Sequence, residues 1–218
     1  MTVATKDPKA LRVNEALREA LFEEMEHDDT VMVFGEDVGV YGGMYRVTDG
    51  LLDRFGPDRV RDTPISEAGI VGMAVGLAQA GMRPIVEIMY MDFIGVAMDP
   101  IVNQMGTTPY ILGEDLPMVL RLQGGTGGSS PHHGKTLEAW FCHVPDIVVI
   151  MPSTAADHKA LLKAAIRDPR PVIFCESRHI YGELGPVMAE DVIGEIGKAA
   201  IQKPGEDITI VAWGRMVY

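Results

Sequence analysis

His27-Asp-Asp-Thr-Val-Met-Val-Phe-Gly-Glu-Asp37 places short polar residues before an apolar run from Thr30 to Phe34, then closes it with a glycine and two carboxylates. A run this short and this continuously apolar predicts a strand covered on both faces, as in a parallel sheet. Upstream, Lys9 to Glu26 carries Leu11, Val13, Ala16, Leu17, Ala20, Leu21 and Met25 at spacings of three and four. That periodicity predicts an amphipathic helix. Downstream, strands are predicted at Pro84 to Tyr90, Pro117 to Gln123, Asp146 to Met151 and Val172 to Glu176, with a weaker one at Arg59 to Asp62. Helical stretches fall between them at Ser66 to Ala80, around Gly95 to Tyr110, and at Thr154 to Arg167. The alternation predicts the α/β class, with a mostly parallel sheet and helices on both faces.

In open α/β sheets the ligand site lies beyond the carboxyl ends of the strands. The segments there are Glu36, Ser66-Glu67, Asp92-Phe93, Gly124 to His133, Ser153 and Ser177-Arg178. The helix after Ser66 carries Gly69, Gly72 and Gly76 along one side. Each costs up to about 1 kcal/mol relative to alanine, so close approach by another backbone is expected to compensate. Thr154-Ala-Ala-Asp157 has the form of a capping box, and Asp168-Pro169 stops the helix it opens. The expected organisation is a first domain over 1–182, a linker over 183–207, and at 208–218 the first strand (Ile208 to Trp213) of a truncated C-terminal domain.

With 47% apolar and 23% charged residues among 218, the chain can bury a full core. Its formal charge of −12, with no block of Lys or Arg, argues against nucleic acid as a partner. The longest uncharged apolar stretch, Gly69 to Met82, is too short and too rich in glycine to span a bilayer, and Met1 to Lys9 contains no apolar signal core. A soluble cytoplasmic protein without membrane contact is expected. Cys142 and Cys175 lack the spacing of a redox or zinc motif and are read as two buried thiols.

Two segments carry candidate chemistry. Glu67 stands where a helix N-terminus favours its ionised form while apolar neighbours favour the neutral acid, a balance suited to proton exchange. The competing account is a first-turn acid that complements the helix dipole. Gln123 to His133 contains four glycines and two histidines, which would allow close backbone approach to a ligand and proton donation or anion contact by a histidine. The alternative there is a mobile surface loop. Two histidines alone are weak evidence for metal.

Taken in order, Phe34-Gly-Glu-Asp-Val, Asp62-Thr-Pro-Ile-Ser-Glu-Ala-Gly, Gly81-Met-Arg-Pro-Ile-Val-Glu, Leu137-Glu-Ala-Trp-Phe, Ala164-Ala-Ile-Arg-Asp-Pro-Arg-Pro-Val-Ile-Phe and Tyr181-Gly make the sequence similar to a known family. It resembles the β subunits of the thiamine-diphosphate-dependent 2-oxoacid dehydrogenases (E1 components), the pyruvate, branched-chain 2-oxoacid and acetoin group. The resemblance covers residues 10–218 and implies a transketolase-like pyrimidine-binding domain. It implies that Glu67 hydrogen-bonds N1′ of the cofactor's aminopyrimidine and promotes its imino tautomer. It further implies that Phe93 packs on that ring, that Glu36 joins the acidic network beside it, and that His133 stands near the substrate and the lipoyl entrance.

Relatives usually follow that histidine with Ser-Gln, whereas this chain has Gly134-Lys135 and adds His132. The helix end at Ala165 and Asp168 resembles an alkali-cation site of some relatives. The Gly-Asp-Gly motif that binds diphosphate and Mg²⁺ in the superfamily is missing. The resemblance therefore implies an α subunit that supplies it, an α2β2 assembly with β–β self-association, and thiamine diphosphate shared between the chains. The implied reaction is decarboxylation of a 2-oxoacid with acyl transfer to the lipoyl domain of an E2 acyltransferase. An acetoin dehydrogenase β subunit and a catalytically idle dimerisation module are the alternatives.

Overall fold

The computed structural model describes residues 8–125, 130–189 and 191–218. In chain order the regular elements are β1 (Lys9–Arg12), α1 (Val13–His27), β2 (Val31–Gly35), α2 (Leu51–Phe55), β3 (Val60–Asp62), α3 (Glu67–Gln79), β4 (Arg83–Ile88), α4 (Thr108–Leu112), β5 (Val119–Gly124), α5 (Glu138–Phe141), β6 (Val148–Ile150), α6 (Ala155–Arg167), β7 (Val172–Ser177) and β8 (Leu184–Val187). Six strands form one sheet in the order β3-β2-β4-β5-β7-β6, and every neighbouring pair is parallel.

Alternate residues of the strands feed two separate cores, as a sheet buried on both faces requires. On one face Val33, Ile85, Val119, Val172 and Phe174 meet Leu17, Leu21 and Met25 of α1 and Leu162 and Ile166 of α6. On the other, Phe34, Val86, Leu120 and Ile173 meet Ile70, Val71 and Ala74 of α3, together with Ile94, Ile101 and Met105. The expected α/β layering is thus the observed one.

Several elements differ from their sequence expectation. Lys9 to Arg12 is a strand, not the first turn of the helix, because it pairs antiparallel with β8 from Lys9↔Val187 to Arg12↔Leu184. The helix starts at Val13, where the Glu15 side chain accepts the Arg12 backbone N–H at 2.8 Å. β8 in turn lies inside the stretch expected to be linker. Gly95 to Tyr110 is not one helix. It divides into a 3₁₀ stretch (Met91–Ala97), a π-helical turn (Pro100–Met105) and α4, since Pro100 and Pro109 each interrupt the α-helical ladder. Ile208 to Trp213 forms no strand among the described residues. Ile208, Ile210 and Val211 are exposed there, and a strand needs a neighbour to satisfy its backbone. Cys175 is buried as expected, but Cys142 is exposed, because it follows the single turn of α5 at the surface.

Within the α1/α6 core lies a charged centre. Arg121, fully buried on the central strand β5, donates two bonds to Glu176 of β7 at 2.6 and 2.8 Å and one to Glu87 of β4 at 2.7 Å. The Tyr181 hydroxyl closes the cluster by donating to Glu176. One guanidinium thus ties three adjacent strands just below the carboxyl edge of the sheet. Removing one partner of such a buried group leaves uncompensated charge and costs roughly 3–5 kcal/mol. Arg121→Met should lower unfolding free energy by about that amount in urea titration. On α3, Gly72 and Gly76 face open space with nothing within 4 Å of an added Cβ. Gly76→Ala should therefore stabilise this chain by up to about 1 kcal/mol in the same assay, the helix propensity difference.

Candidate functional site

The carboxyl ends of β2, β4, β5 and β7 converge on the predicted side chains. Gly35 ends β2, and Glu36 opens a long loop to Gly50 held from below by Asp62 at the end of β3. Its carboxylate accepts the Gly39 and Val40 backbone N–H groups at 2.6 and 3.2 Å. Glu36 is half-buried, and its carboxyl is raised above the usual range, first by burial and then by the charges of Glu67 and Asp37. Two sequence-predicted residues from different elements therefore sense one another.

Glu67 is the first residue of α3 and is only 7% exposed. Among the described residues nothing hydrogen-bonds its carboxylate. The residue as a whole is largely covered, yet its carboxylate oxygens are not among the fully buried atoms, so the group is open to a donor at the sheet's carboxyl edge.

Phe93 follows β4 in the 3₁₀ stretch, and His133 follows β5. Their rings meet edge to face at 5.7 Å, with Tyr90 completing the cluster at 5.9 Å from Phe93 and 4.4 Å from His133. Arg178, at the end of β7, stacks its guanidinium 4.4 Å from the Tyr90 ring and donates to the Tyr45 hydroxyl at 2.9 Å and the His133 carbonyl at 2.5 Å. His133 Nδ1 shares a hydrogen bond with Ser130 Oγ at 2.7 Å. Lys135 binds Asp92 twice, through its ammonium at 2.9 Å and its backbone N–H at 3.2 Å. Burial acts to raise the Asp92 carboxyl, but the Lys135 bonds and charge outweigh it and hold the group below the ordinary aspartate value.

Of the glycine-rich stretch from Gln123 to His133, residues 126–129 lie outside the described residues. His132 is exposed and belongs to no cluster described above. Nothing in the sequence marks Tyr90 or Tyr45 as site residues. Tyr90 reads as a strand residue and Tyr45 as one loop aromatic, with no periodic signal to mark either.

At the end of α6 the Asp168 carboxylate is engaged by Arg170, with side-chain bonds of 2.9 and 2.8 Å and a backbone bond of 2.9 Å. A cation at Ala165 and Asp168 would have to compete with that guanidinium. Among the described residues, no group of three or more His, Cys, Asp or Glu could hold a metal ion, and no helix is long and apolar enough to cross a membrane.

Residues 9–183 match the family model described as transketolase, pyrimidine binding domain, and the chain belongs to that family. Among curated proteins, it is 45% identical over 216 residues to pyruvate dehydrogenase E1 component subunit beta-2, mitochondrial, of Oryza sativa subsp. japonica, covering 96% of this chain and 57% of that protein. It is also 45% identical over 208 residues to pyruvate dehydrogenase E1 component subunit beta of Rhizobium meliloti, covering 94% of this chain and 45% of the relative. The chain thus spans about half the length of the curated relatives it matches. A solved structure titled "Split gene transketolase, inactive beta4 tetramer" shares the fold at a TM-score of 0.73 and 24% identity, covering 94% of this chain and 63% of that one.

Because the folded state raises the Glu36 pKa, ionised Glu36 opposes folding above that value, and protonation relieves the opposition as pH falls through it. Glu36→Gln should therefore raise the urea midpoint at neutral pH. The advantage should shrink on acidification and vanish below the ordinary glutamate value of 4.5.

Proposed function

We propose that this chain is the pyrimidine-binding half of a thiamine-diphosphate-dependent 2-oxoacid dehydrogenase E1 β subunit, with pyruvate its first candidate substrate. The observation that carries the reading is Glu67, a largely buried residue at the start of α3 whose carboxylate has no hydrogen-bond partner among the described residues and whose charge acts on Glu36. An aminopyrimidine complements these residues. Its ring nitrogen suits a carboxylate that can share a proton, and its flat face suits the Phe93 ring. The names of the rice and Rhizobium relatives favour pyruvate over branched-chain acids or acetoin.

When bound, thiamine diphosphate would supply the carbanion-stabilising chemistry of decarboxylation. The chain's own residues have narrower tasks. Glu67, at the start of α3, holds or passes the proton at the pyrimidine nitrogen. Glu36 is the second acid of the pair. Burial, then the charge of Glu67, disfavours its ionised form. Phe93 positions the ring, and His133, edge-on to Phe93 and Tyr90, is assigned the contact with substrate or an incoming lipoyl arm.

The remainder of the site, with Mg²⁺ and the diphosphate contacts, is assigned to an α subunit in an α2β2 assembly. The open side of α3 at Gly72 and Gly76 has room for a neighbouring chain, including a second copy of this one. The division into a domain over 1–182, a connecting stretch over 183–207 and the start of a second domain at 208–218 belongs to the same reading, with β8 folded back onto the first domain. A cytoplasmic location is also part of it. The word mitochondrial occurs in the rice relative's name and not in that of the Rhizobium protein.

The test is coexpression of the full-length chain with an α partner, followed by assay on pyruvate, branched-chain 2-oxoacids and acetoin. Glu67→Gln should abolish decarboxylation, measured as CO₂ release, while size-exclusion chromatography shows an unchanged assembly. Wild-type turnover by that variant would remove Glu67 from the mechanism. Inactivity of the parent toward every substrate, despite assembly, would favour an idle dimerisation module.

A further inference from the structure

The proposed function gives His133 a place beside the reacting groups but does not explain what holds it there. His133 lies in a short span whose two ends converge on one side chain. At the later end, Lys135 donates its backbone N–H to Asp92 Oδ2 at 3.2 Å and its ammonium to Oδ1 at 2.9 Å. At the earlier end, the same ammonium reaches the Pro131 carbonyl at 2.7 Å. Between them His133 bonds Ser130 twice, its backbone N–H to the carbonyl at 3.2 Å and its Nδ1 to the hydroxyl at 2.7 Å.

Asp92 is also the residue immediately before Phe93. One carboxylate therefore sets the distance between the 3₁₀ stretch that presents Phe93 and the turn that presents His133. Its side chain is only 4% exposed, while that of Lys135 is half exposed. An exposed ion pair is worth little because water competes for both partners. A nearly buried carboxylate that accepts a backbone N–H and an ammonium from one residue is a more directional tie. The strand end accommodates it. Gly124 lets the Lys135 carbonyl lie where an added Cβ would stand 2.8 Å away, and Gly125 donates its N–H to that carbonyl at 3.2 Å.

We propose that Asp92 and Lys135 form a positioning pair that holds His133 edge-on to Tyr90 and Phe93, and so sets the reactive geometry of the site. The inference rests on the assignment of His133 to the site. Neither residue is assigned a chemical role in the proposed reaction.

The test uses Asp92→Asn, Lys135→Met, the double variant and Lys135→Arg in the full-length chain assembled with its α partner, with folding checked by circular dichroism. The first readout is carbethoxylation of His133 by diethyl pyrocarbonate, resolved by mass spectrometry. Exposed His132, one residue away, is the internal reference. Both single variants and the double should raise the His133/His132 rate ratio several-fold and to the same level, and Lys135→Arg should leave it near the parent value. An unchanged ratio in the folded Asp92→Asn or Lys135→Met variant would overturn the pair.

The second readout separates positioning from general damage. kcat on a 2-oxoacid should fall between about 10- and 100-fold, the range expected when a reactive group is misplaced by an ångström or so. Thiamine diphosphate affinity should be unchanged. Weakened cofactor binding with normal kcat would overturn the positioning role. If the parent enzyme turns over no 2-oxoacid, the functional reading fails, and the reactivity ratio alone decides whether the pair holds His133.

Discussion

Arg121 is the constraint on which the rest of the sheet depends. A guanidinium on the central strand of a parallel sheet cannot reach water, so its neighbours must satisfy it or the fold pays in desolvation. Glu176 takes it in a bidentate fork and Glu87 takes a third bond, which fixes the relative positions of β4, β5 and β7. The charge balance is uneven, with two carboxylates facing one cation. Burial, followed by the repulsion of Glu176, works to raise the Glu87 carboxyl, while Arg121 works to lower it. The net result lies above the usual value.

From that centre a continuous set of contacts runs outward to the site. Glu176 accepts the Tyr181 hydroxyl, and the Tyr181 ring meets Tyr45 edge to face at 5.2 Å. The Tyr45 hydroxyl takes a bond from Arg178, whose other arm holds the His133 carbonyl. The loop after β2, which begins with Glu36, and the loop after β5, which carries His133, are therefore joined through β7. A site made of loops gains precision when its supports are strands and buried polar contacts. Here the supports are of both kinds.

The two halves of the site are built on different physics. The Glu36 and Glu67 side is electrostatic: burial, then the charges of Glu67 and Asp37, disfavour the ionised form of Glu36. The Tyr90, Phe93 and His133 side is made of ring contacts stiffened by Arg178 and by the Asp92–Lys135 tie. Ionised Glu36 carries a stability cost, because its pKa is raised in the fold. The aromatic side is assembled in the chain on its own.

The sequence by itself determined the layering, because apolar runs of strand length alternating with 3.6-residue periodicity have no other economical packing. It also determined Glu36, Glu67, Phe93 and His133 as candidates, since each stands just after a strand or opens a helix and falls in a motif with a resemblance behind it. It could not determine β1 and β8, because four-residue strands have no periodicity and exist only through each other. Nor could it show that Ile208 to Trp213 would lack a ladder here, since a strand-like composition does not supply a neighbour. The burial of Arg121 was also beyond its reach. A lone arginine in an apolar run reads as an edge or an exception, and only the tertiary structure brings residues 34 and 55 positions away to its guanidinium. The same holds for Asp92 and Lys135, which are 43 positions apart and meet because parallel strands deliver their following loops to one edge.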